Sequence, residues 1–344
     1  MVRLKDIFGQ DAAVESLRAA YAADRLPHGL IFAGPEGVGK ATTAAALAGL
    51  FLCEHPAAED ACGKCQSCQA VAAGNHPDYH VITKELARLH DKSGSSKATQ
   101  LSINVIRYDL AVPAGRKTVM GRGKVFVIEQ AELMTDAAQN ALLKTLEEPA
   151  GRSLIILLTT HGNELLPTVR SRCQTVRFAA LPADLVAKQL ERRGVDPATA
   201  AAAANFSDGS LGVAIRWIED EVLGCASAVA NTMDAILDGK TGTNLADLFR
   251  KSADAYAEKV LARDELASKD SAVRSGLGVY LSIAARRIRQ RLRPAPDADF
   301  IDHACDAVEA ISRAEKYLSA NVNVPLVLEQ LAASLQNEDK SKKF

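Results

Sequence analysis

Short runs of apolar residues alternate with helical patterns over the first half of the chain. These runs, rich in Ile, Leu, Val and Phe, predict strands at 29–33, 79–82, 124–128 and 154–158, with a weaker one at 174–178. Nearly continuous apolar strands are typical of a parallel sheet that is covered on both faces. Since helical patterns lie between the runs, the pattern predicts an α/β fold with a parallel sheet.

Beyond residue 178 the strand pattern stops and only helical patterns follow. A Leu-Pro pair at 181–182 and an Asp-Pro pair at 196–197 each introduce a helix, and a third helix is predicted from about Val213. From about residue 220 to 335 the chain shows helical patterns and loops alone.

These changes of pattern predict three domains. We expect an α/β domain over 1–178, a small helical domain over 179–219 and an all-helical domain over 220–344 that ends in a polar tail. Within the first domain, the segment 92–99 is rich in Lys, Ser and Gly and has nothing to bury, so it predicts a flexible insertion.

The composition excludes several classes of protein. Of 344 residues, 48% are hydrophobic and 24% are charged, which is the balance of a globular protein and not of a disordered one. Lys plus Arg number 41 and Asp plus Glu 42, so a generally basic nucleic-acid coat is excluded. No apolar run approaches the roughly 18 residues of a membrane span, and the N-terminus does not resemble a signal peptide. We therefore expect a cytoplasmic protein.

The first predicted strand is followed directly by the sequence GPEGVGK at 34–40, which matches the pattern G-x-x-x-x-G-K. In such a loop, backbone N–H groups and the N-terminus of the next helix hold phosphates, and the lysine reaches the terminal phosphates. The candidate nucleotide-binding residues here are Gly34, Gly37, Gly39 and Lys40.

Both nucleotide motifs depart from the pattern that ATP hydrolysis needs. Position 41, where Ser or Thr would hold Mg²⁺, is Ala41, and Thr42 is rotated by about 100° from that position on a helix. After the third strand an Asp-Glu pair is expected, but the chain has Glu129 and Gln130, and Gln130 cannot accept a proton from water. Hydrolysis in this pocket is not expected. The loop either binds nucleotide with weakened metal coordination or serves as a structural turn.

Four cysteines follow the phosphate loop in the spacing C-x8-C-x2-C-x2-C. They are Cys53, Cys62, Cys65 and Cys68. Cysteine pairs separated by two residues can place both sulfurs on one tetrahedral ion, and four thiolates leave no open position for catalysis. The spacing therefore predicts a structural zinc site, whereas the three other cysteines are predicted to be small buried residues.

Together these features resemble the AAA+ clamp-loader family of bacterial DNA polymerase III. The resemblance covers essentially the whole chain and is carried by the phosphate loop, the cysteine module, the sequence NALLKTLEEP at 140–149 and the Ser-Arg-Cys motif within 166–173. It implies an AAA+ P-loop domain with a zinc module, a helical lid domain and an all-α collar domain. It also implies gamma/tau and delta subunits as partners and, through the complex, the sliding clamp and primer-template DNA.

Within that family, a motor type of subunit has intact ATP motifs and a stator type has degenerate ones. The departures at Ala41, Glu129 and Gln130 favour the stator type. So does the stretch 209–214, in which the motor carries a nucleotide-sensing Arg and this chain has Gly212 or its neighbours. The resemblance implies a component of the polymerase III holoenzyme that lacks ATP hydrolysis of its own. Alternatives are an ATP-hydrolysing gamma/tau-type motor and a zinc-dependent DNA-binding module.

Arg172 of the Ser-Arg-Cys motif is, by the same resemblance, an arginine finger that reaches the γ-phosphate of ATP on a neighbouring subunit. A guanidinium is permanently charged and forked, which suits charge developing on a transferred phosphoryl group. Ser171 and Cys173 are expected to position this loop.

A basic run in the predicted collar consists of Arg286, Arg287, Arg289, Arg291 and Arg293. That run is either a solvated helix face or a surface for DNA or an acidic partner.

Overall fold

The computed structural model describes residues 2–57, 60–90, 100–240, 244–263, 268–292 and 298–336. These residues form two compact units. The first contains the described residues as far as Leu185 together with Gly209–Gly212, and the second contains Val186–Asp208 and the described residues from Val213 on. The three-domain division stays a prediction. The segment predicted to be flexible at 92–99 and the polar tail from residue 337 lie outside the described residues.

The first unit is built on a sheet of five parallel strands. The strands are β1 (Gly29–Ala33), β2 (Tyr79–Ile82), β3 (Lys124–Ile128), β4 (Ser153–Thr159) and β5 (Gln174–Arg177). Their order across the sheet is β2-β3-β4-β1-β5. This sheet, with the phosphate loop directly after β1, confirms the predicted α/β fold with a parallel sheet.

The central strands are apolar over most of their length, with polar residues only at their ends, because both of their faces are covered. In β1, Leu30 and Phe32 pack into the core on one face of the sheet and Ile31 packs into the core on the other. Phe126 of β3 and Ile155 of β4 join Ile31, and all of these side chains are buried. Each contributes about 1.5–3 kcal/mol of hydrophobic stabilisation relative to an exposed position. Because both faces of these strands are buried, their sequences do not alternate between apolar and polar residues.

Short helices surround the sheet in the first unit. They are α1 (Asp11–Ala22), α2 (Lys40–Leu52), α3 (Gln66–Ala72), α4 (Ala87–His90), α5 (Ile103–Val105), α6 (Val112–Ala114), α7 (Asp136–Glu147) and α8 (Pro167–Arg170). A π-helical segment, Ile106–Ala111, makes α5 and α6 continuous. Thr135 caps α7, since its Oγ1 accepts from the backbone N–H of Ala138 at 3.2 Å.

The second unit is entirely helical within the part of it that the structure describes. Its helices are α9 (Ala183–Glu191, which begins in the first unit), α10 (Pro197–Phe206), α11 (Leu211–Glu219), α12 (Val222–Leu237), α13 (Leu245–Arg263), α14 (Lys269–Leu292), α15 (Ala298–Ser319) and α16 (Val324–Gln336). A core that includes Trp217, Phe249 and Tyr280 holds them together. Among the described residues, the helices are all too short or too polar to cross a membrane.

Candidate functional site

The phosphate loop at 34–40 follows β1 at the carboxyl end of the sheet. The backbone N–H of Gly34 donates to the carbonyl oxygen of Thr159 at 3.2 Å, and this bond joins the loop to the end of β4. Open α/β sheets bind ligands at the carboxyl ends of their strands. The predicted nucleotide-binding glycines and Lys40 thus lie at the edge of the sheet where such a ligand would be held.

Lys40 is turned back onto the loop that precedes it. Its Nζ donates to the carbonyl oxygens of Gly34 and Pro35, both at 2.6 Å, and the residue is only 8% exposed. Burial lowers the pKa of Lys40 from its ordinary value, while the charges of Glu132 and Glu36 act in the opposite direction. An ammonium group has three N–H donors, so most of them are engaged within the loop itself.

Glu132 is the carboxylate whose charge acts most on Lys40, and sequence reasoning missed it. It lies in a short 3-10 turn, Ala131–Leu133, after β3. Its Oε1 accepts from the Oγ1 of Thr160 at 2.7 Å and from the backbone N–H of Thr160 at 3.4 Å. Burial alone would raise the pKa of Glu132, but these hydrogen bonds hold it below its ordinary value. The available sequence signal was an acidic residue three positions after Glu129.

The predicted acidic pair, Glu129 and Gln130, does not act on Lys40 as a pair. Glu129 is half-buried, and burial together with the charge of Glu85 raises its pKa. Gln130 is exposed and has a φ of 50°, in the left-handed region. The electrostatic partner of Glu129 is therefore Glu85, while Glu132 takes the place beside the lysine.

The first turn of α2 offers no hydroxyl at the position that normally holds Mg²⁺. Ala41 and Thr42 are both exposed. Thr43 is buried, and its Oγ1 donates to the carbonyl oxygen of Gly39 at 2.9 Å. The hydroxyl of Thr43 thus serves the backbone of its own helix.

Two contacts hold the phosphate loop from outside. Gln10 donates its Nε2 to the carbonyl oxygens of Val38 at 3.2 Å and Ala179 at 2.8 Å. The backbone N–H of Gly212 donates to the carbonyl oxygen of Gly37 at 2.9 Å. A Cβ atom at position 212 would lie 2.9 Å from the Cα of Gly37, so this close approach requires glycine. Gly212, within the stretch predicted to depart from the motor pattern, is thus in direct backbone contact with the phosphate loop.

The four predicted metal ligands converge between α2 and α3. Sγ atoms of Cys53, Cys62, Cys65 and Cys68 all lie within 4.8 Å of one another. The pairs Cys53–Cys65 and Cys62–Cys68 are each separated by 3.9 Å between sulfurs. Sulfurs placed about 2.3 Å from a tetrahedral ion lie about 3.8 Å apart. The cluster therefore fits a single four-coordinate metal ion.

Backbone N–H groups donate to several sulfurs of the cluster. The N–H of Cys62 donates to the Sγ of Cys53 at 3.3 Å, and the N–H of Cys68 donates to the Sγ of Cys65 at 3.4 Å. The N–H groups of Lys64 and Cys65 lower the pKa of Cys62 to about 6, whereas burial raises the pKa values of Cys53 and Cys68. The backbone donors thus favour the thiolate, which is the form that ligates a metal, at Cys62.

A buried hydrogen-bond network fixes the cysteine module to the sheet domain. The Oγ of Ser67 donates to the carbonyl oxygen of Leu52 at 2.7 Å and lies 3.0 Å from the Nε2 of His76. The Nδ1 of His76 accepts from the backbone N–H of Asp78 at 3.1 Å, so the ring carries its proton on Nε2. This network connects α3, the end of α2 and the approach to β2.

Arg172 lies in the loop between α8 and β5 and is paired with Glu147 at the end of α7. Its Nε and Nη2 lie 2.8 Å and 2.6 Å from the Oε1 of Glu147, and the two side chains are 36% and 48% exposed. Its Nη1 donates to the carbonyl oxygen of Thr168 at 2.9 Å and to the Oγ of Ser171 at 3.3 Å. Ser171 thus contacts the arginine that it was expected to position.

Arg172 and the phosphate loop lie at opposite ends of β1. A Cβ atom on Gly29, the first residue of β1, would lie 3.1 Å from the carbonyl oxygen of Arg172 and 3.0 Å from the Sγ of Cys173. The phosphate loop begins after Ala33, at the other end of the strand. Five residues of strand span about 13 Å. Arg172 is therefore presented on a different edge of the sheet from the phosphate loop of its own chain.

Comparisons with known proteins agree with this arrangement of motifs. A family model described as "DNA polymerase III, delta subunit" matches residues 9–182. The DNA polymerase III subunit delta′ of Pseudomonas aeruginosa is 40% identical over 146 residues, which are 42% of this chain and 41% of that protein. The chain belongs to the delta prime family of DNA polymerase III subunits. The alignment with the Pseudomonas protein spans less than half of that protein's length.

Another delta prime relative aligns over nearly the whole chain. The subunit delta′ of Bacillus subtilis is 27% identical over 331 residues, which are 95% of this chain and 96% of that protein. Among solved structures, a DNA polymerase III gamma subunit-related protein from Thermotoga maritima is 17% identical. It covers 93% of this chain and 99% of its own, with a TM-score of 0.42.

In this delta prime chain the described arginines of the basic run on α14 form ion pairs with acidic residues of the second unit. The ion pairs are Arg286–Asp208, Arg289–Asp208, Arg287–Asp234, Arg291–Asp234 and Arg291–Asp238. Arg293 lies outside the described residues. Three aspartates thus offset most of the positive charge of these four arginines, which lowers the charge that this face offers to DNA.

Replacement of Gly212 by Ala should loosen the phosphate loop. The new Cβ meets the backbone of Gly37, so the hydrogen bond from the amide of residue 212 lengthens or breaks. Loss of one such bond costs about 1 kcal/mol. We expect faster hydrogen–deuterium exchange of that amide, measured by mass spectrometry on the peptide that spans it.

Gly224→Ala is the matched control for this change. Gly224 lies in α12, and a Cβ atom there meets nothing within 4 Å. Alanine is the better helix former, so this variant should be as stable as the natural chain or slightly more so. Unchanged exchange at residue 212 in the Gly212→Ala chain would mean that the contact with Gly37 does not hold the loop.

Proposed function

We propose that this chain is a stator subunit of a bacterial clamp loader. It works beside gamma/tau and delta subunits and, through the complex, helps to load the sliding clamp onto primer-template DNA. Its contribution to ATP hydrolysis is an arginine supplied to a neighbour, and its own phosphate loop hydrolyses no ATP. Membership of the delta prime family supports this role.

The observation that carries the proposal is the separation of Arg172 from the phosphate loop of its own chain. The arginine is exposed at the amino end of β1, and the loop lies at the carboxyl end. A guanidinium in this place lies away from any phosphate on its own loop, as an arginine that acts on a triphosphate of another subunit must. Arginine fingers that act in trans raise phosphoryl-transfer rates by roughly 10³–10⁵-fold.

The state of the phosphate loop supports the absence of hydrolysis in this chain. Ala41 leaves Mg²⁺ without its usual hydroxyl, and Gln130 is exposed and cannot act as a base. Lys40 is engaged by loop carbonyls, and the negative charge of Glu132 acts on this lysine. These features weigh against the alternative that the chain is a gamma/tau-type motor.

The cysteine cluster is proposed to hold zinc in a structural role. Zinc is the ion that four thiolates in tetrahedral geometry favour, and a shell filled by four protein ligands has no position for substrate. Cys53, Cys62, Cys65 and Cys68 would hold the ion and join the ends of α2 and α3. The ion pairs on α14 weigh against a DNA-binding module as the main function.

Purified alone, the zinc-loaded chain should hydrolyse ATP no faster than its Lys40→Ala variant. The pocket has neither the Mg²⁺ hydroxyl at position 41 nor a general base at position 130. The measurement is steady-state phosphate release at saturating ATP. Turnover that depends on Lys40 would overturn the stator assignment in favour of a motor.

In a complex reconstituted with gamma/tau and delta subunits, Arg172→Ala should leave assembly intact and slow the ATP site that it faces. The expected loss at that site is on the order of 10³-fold, because the transition-state charge loses its guanidinium. Single-turnover hydrolysis with labelled ATP resolves this site from the others. Arg170→Ala, which changes an exposed arginine at the end of α8 two residues before Arg172, is the control, and equal rates for the two variants would remove Arg172 from the reaction.

Metal analysis of the purified chain should find about one zinc ion per molecule. Cys62→Ser removes one of the four ligands and should lower both the zinc content and the thermal midpoint of unfolding. Cys305 lies outside the cluster and is exposed, so the burial predicted for it from the sequence is wrong. Cys305→Ser should therefore affect neither quantity. A well-folded natural chain without zinc would contradict the proposal.

A further inference from the structure

The guanidinium of Arg172 is almost saturated with hydrogen bonds within its own chain. A guanidinium has five N–H donors. Nε and Nη2 are directed to Glu147, and Nη1 donates to both Thr168 and Ser171. A bidentate contact with a phosphate needs two adjacent donors. Arg172 cannot make that contact without giving up Glu147.

Glu147 is held in place by the framework around it. The preceding residue, Leu146, is buried, and its carbonyl oxygen accepts from the Nε2 of His28 at 2.7 Å. Gly29 packs between Leu146 and Cys173, since a Cβ there would lie 3.2 Å from the Cδ2 of Leu146 and 3.0 Å from the Sγ of Cys173. The end of α7 and the base of the Arg172 loop are therefore fixed against the same strand.

The position of Glu147 on its helix is unfavourable by itself. It is the last residue of α7, where the helix dipole disfavours a negative charge. The ion pair with Arg172 offsets this cost. Glu147 is thus fixed opposite the exposed Arg172 although its own helix does not favour a negative charge there. This combination points to a role for Glu147 in holding Arg172.

We propose that Glu147 is a positioning residue that parks Arg172 in the free chain and releases it when a neighbouring triphosphate is presented. The inference rests on the proposed finger role of Arg172. Phosphate and the Glu147 carboxylate compete for the same face of the guanidinium. Because the ion pair is exposed to solvent, it is weak, and a more highly charged anion can displace Glu147 from Arg172.

The parked contact is tested in the isolated chain. With ¹⁵N-labelled arginine, the Nε–H signal of Arg172 is identified by its absence from an Arg172→Lys variant. Glu147→Gln should speed the exchange of this proton with water by about two- to five-fold, the range that the loss of an exposed ion pair gives. Glu148→Gln makes the same charge change one residue away and should leave the exchange unaltered.

The consequence is tested in the complex reconstituted with gamma/tau and delta subunits. Glu147→Gln should raise kcat for ATP by about two- to five-fold, since a smaller fraction of Arg172 is paired with residue 147 and held away from the γ-phosphate. The double variant Glu147→Gln with Arg172→Ala should match Arg172→Ala alone, because the glutamate acts through the arginine. Glu148→Gln should turn over ATP at the natural rate.

The outcomes separate this inference from the function on which it rests. If Arg172→Ala does not slow hydrolysis, the finger role fails and parking has no consequence. If Arg172→Ala slows hydrolysis while Glu147→Gln leaves exchange and kcat unchanged, the finger stands and parking by Glu147 is wrong. A fall in kcat with Glu147→Gln would show that the glutamate aligns the finger for the reaction, which also overturns parking.

Discussion

All five strands of the sheet run in one direction, and this constraint organises the functional residues of the first unit. In a parallel sheet, every loop that follows a strand lies at one edge and every loop that precedes a strand lies at the other. The phosphate loop follows β1, and the Arg172 loop precedes β5, which pairs with β1. One edge of the sheet therefore carries the phosphate loop, and the opposite edge carries Arg172. Two chains placed edge to edge could combine one of each.

The two edges are in different chemical states. At the carboxyl edge, the buried Lys40 donates to the loop carbonyls and is influenced by the charge of Glu132, and Gln10 and Gly212 bond to the backbone of the loop. At the amino edge, the charges of Arg172 and Glu147 are exposed and paired by a contact that solvent weakens. A buried set of contacts resists exchange with a ligand more strongly than an exposed one does. This contrast agrees with a subunit that gives a charge to its neighbour and keeps its own pocket inactive.

The sequence predicted the strands and the cysteine cluster well because both signals are local. Apolar runs mark strands that are buried on both faces, and the cysteine spacing lies within one short segment. The sequence does not point to Glu132 and Gln10 because their partners lie far away along the chain. Gln10, for example, bonds to Ala179, 169 positions away. The arginine run on α14 was ambiguous for the same reason, since its acidic partners lie at least 53 positions earlier in the chain. The pairing of Arg172 with Glu147 likewise joins two motifs that the sequence shows only separately.

The close approach of Gly212 to Gly37 has a consequence for any attempt to engineer ATP hydrolysis into this chain. The space that a larger side chain at position 212 would need is filled by the backbone of the phosphate loop. An arginine introduced at position 212 would meet the backbone of Gly37 before it met any nucleotide. Alanine at position 41 and glutamine at position 130 would also have to change. Conversion of the chain to a motor type would therefore need several substitutions made together.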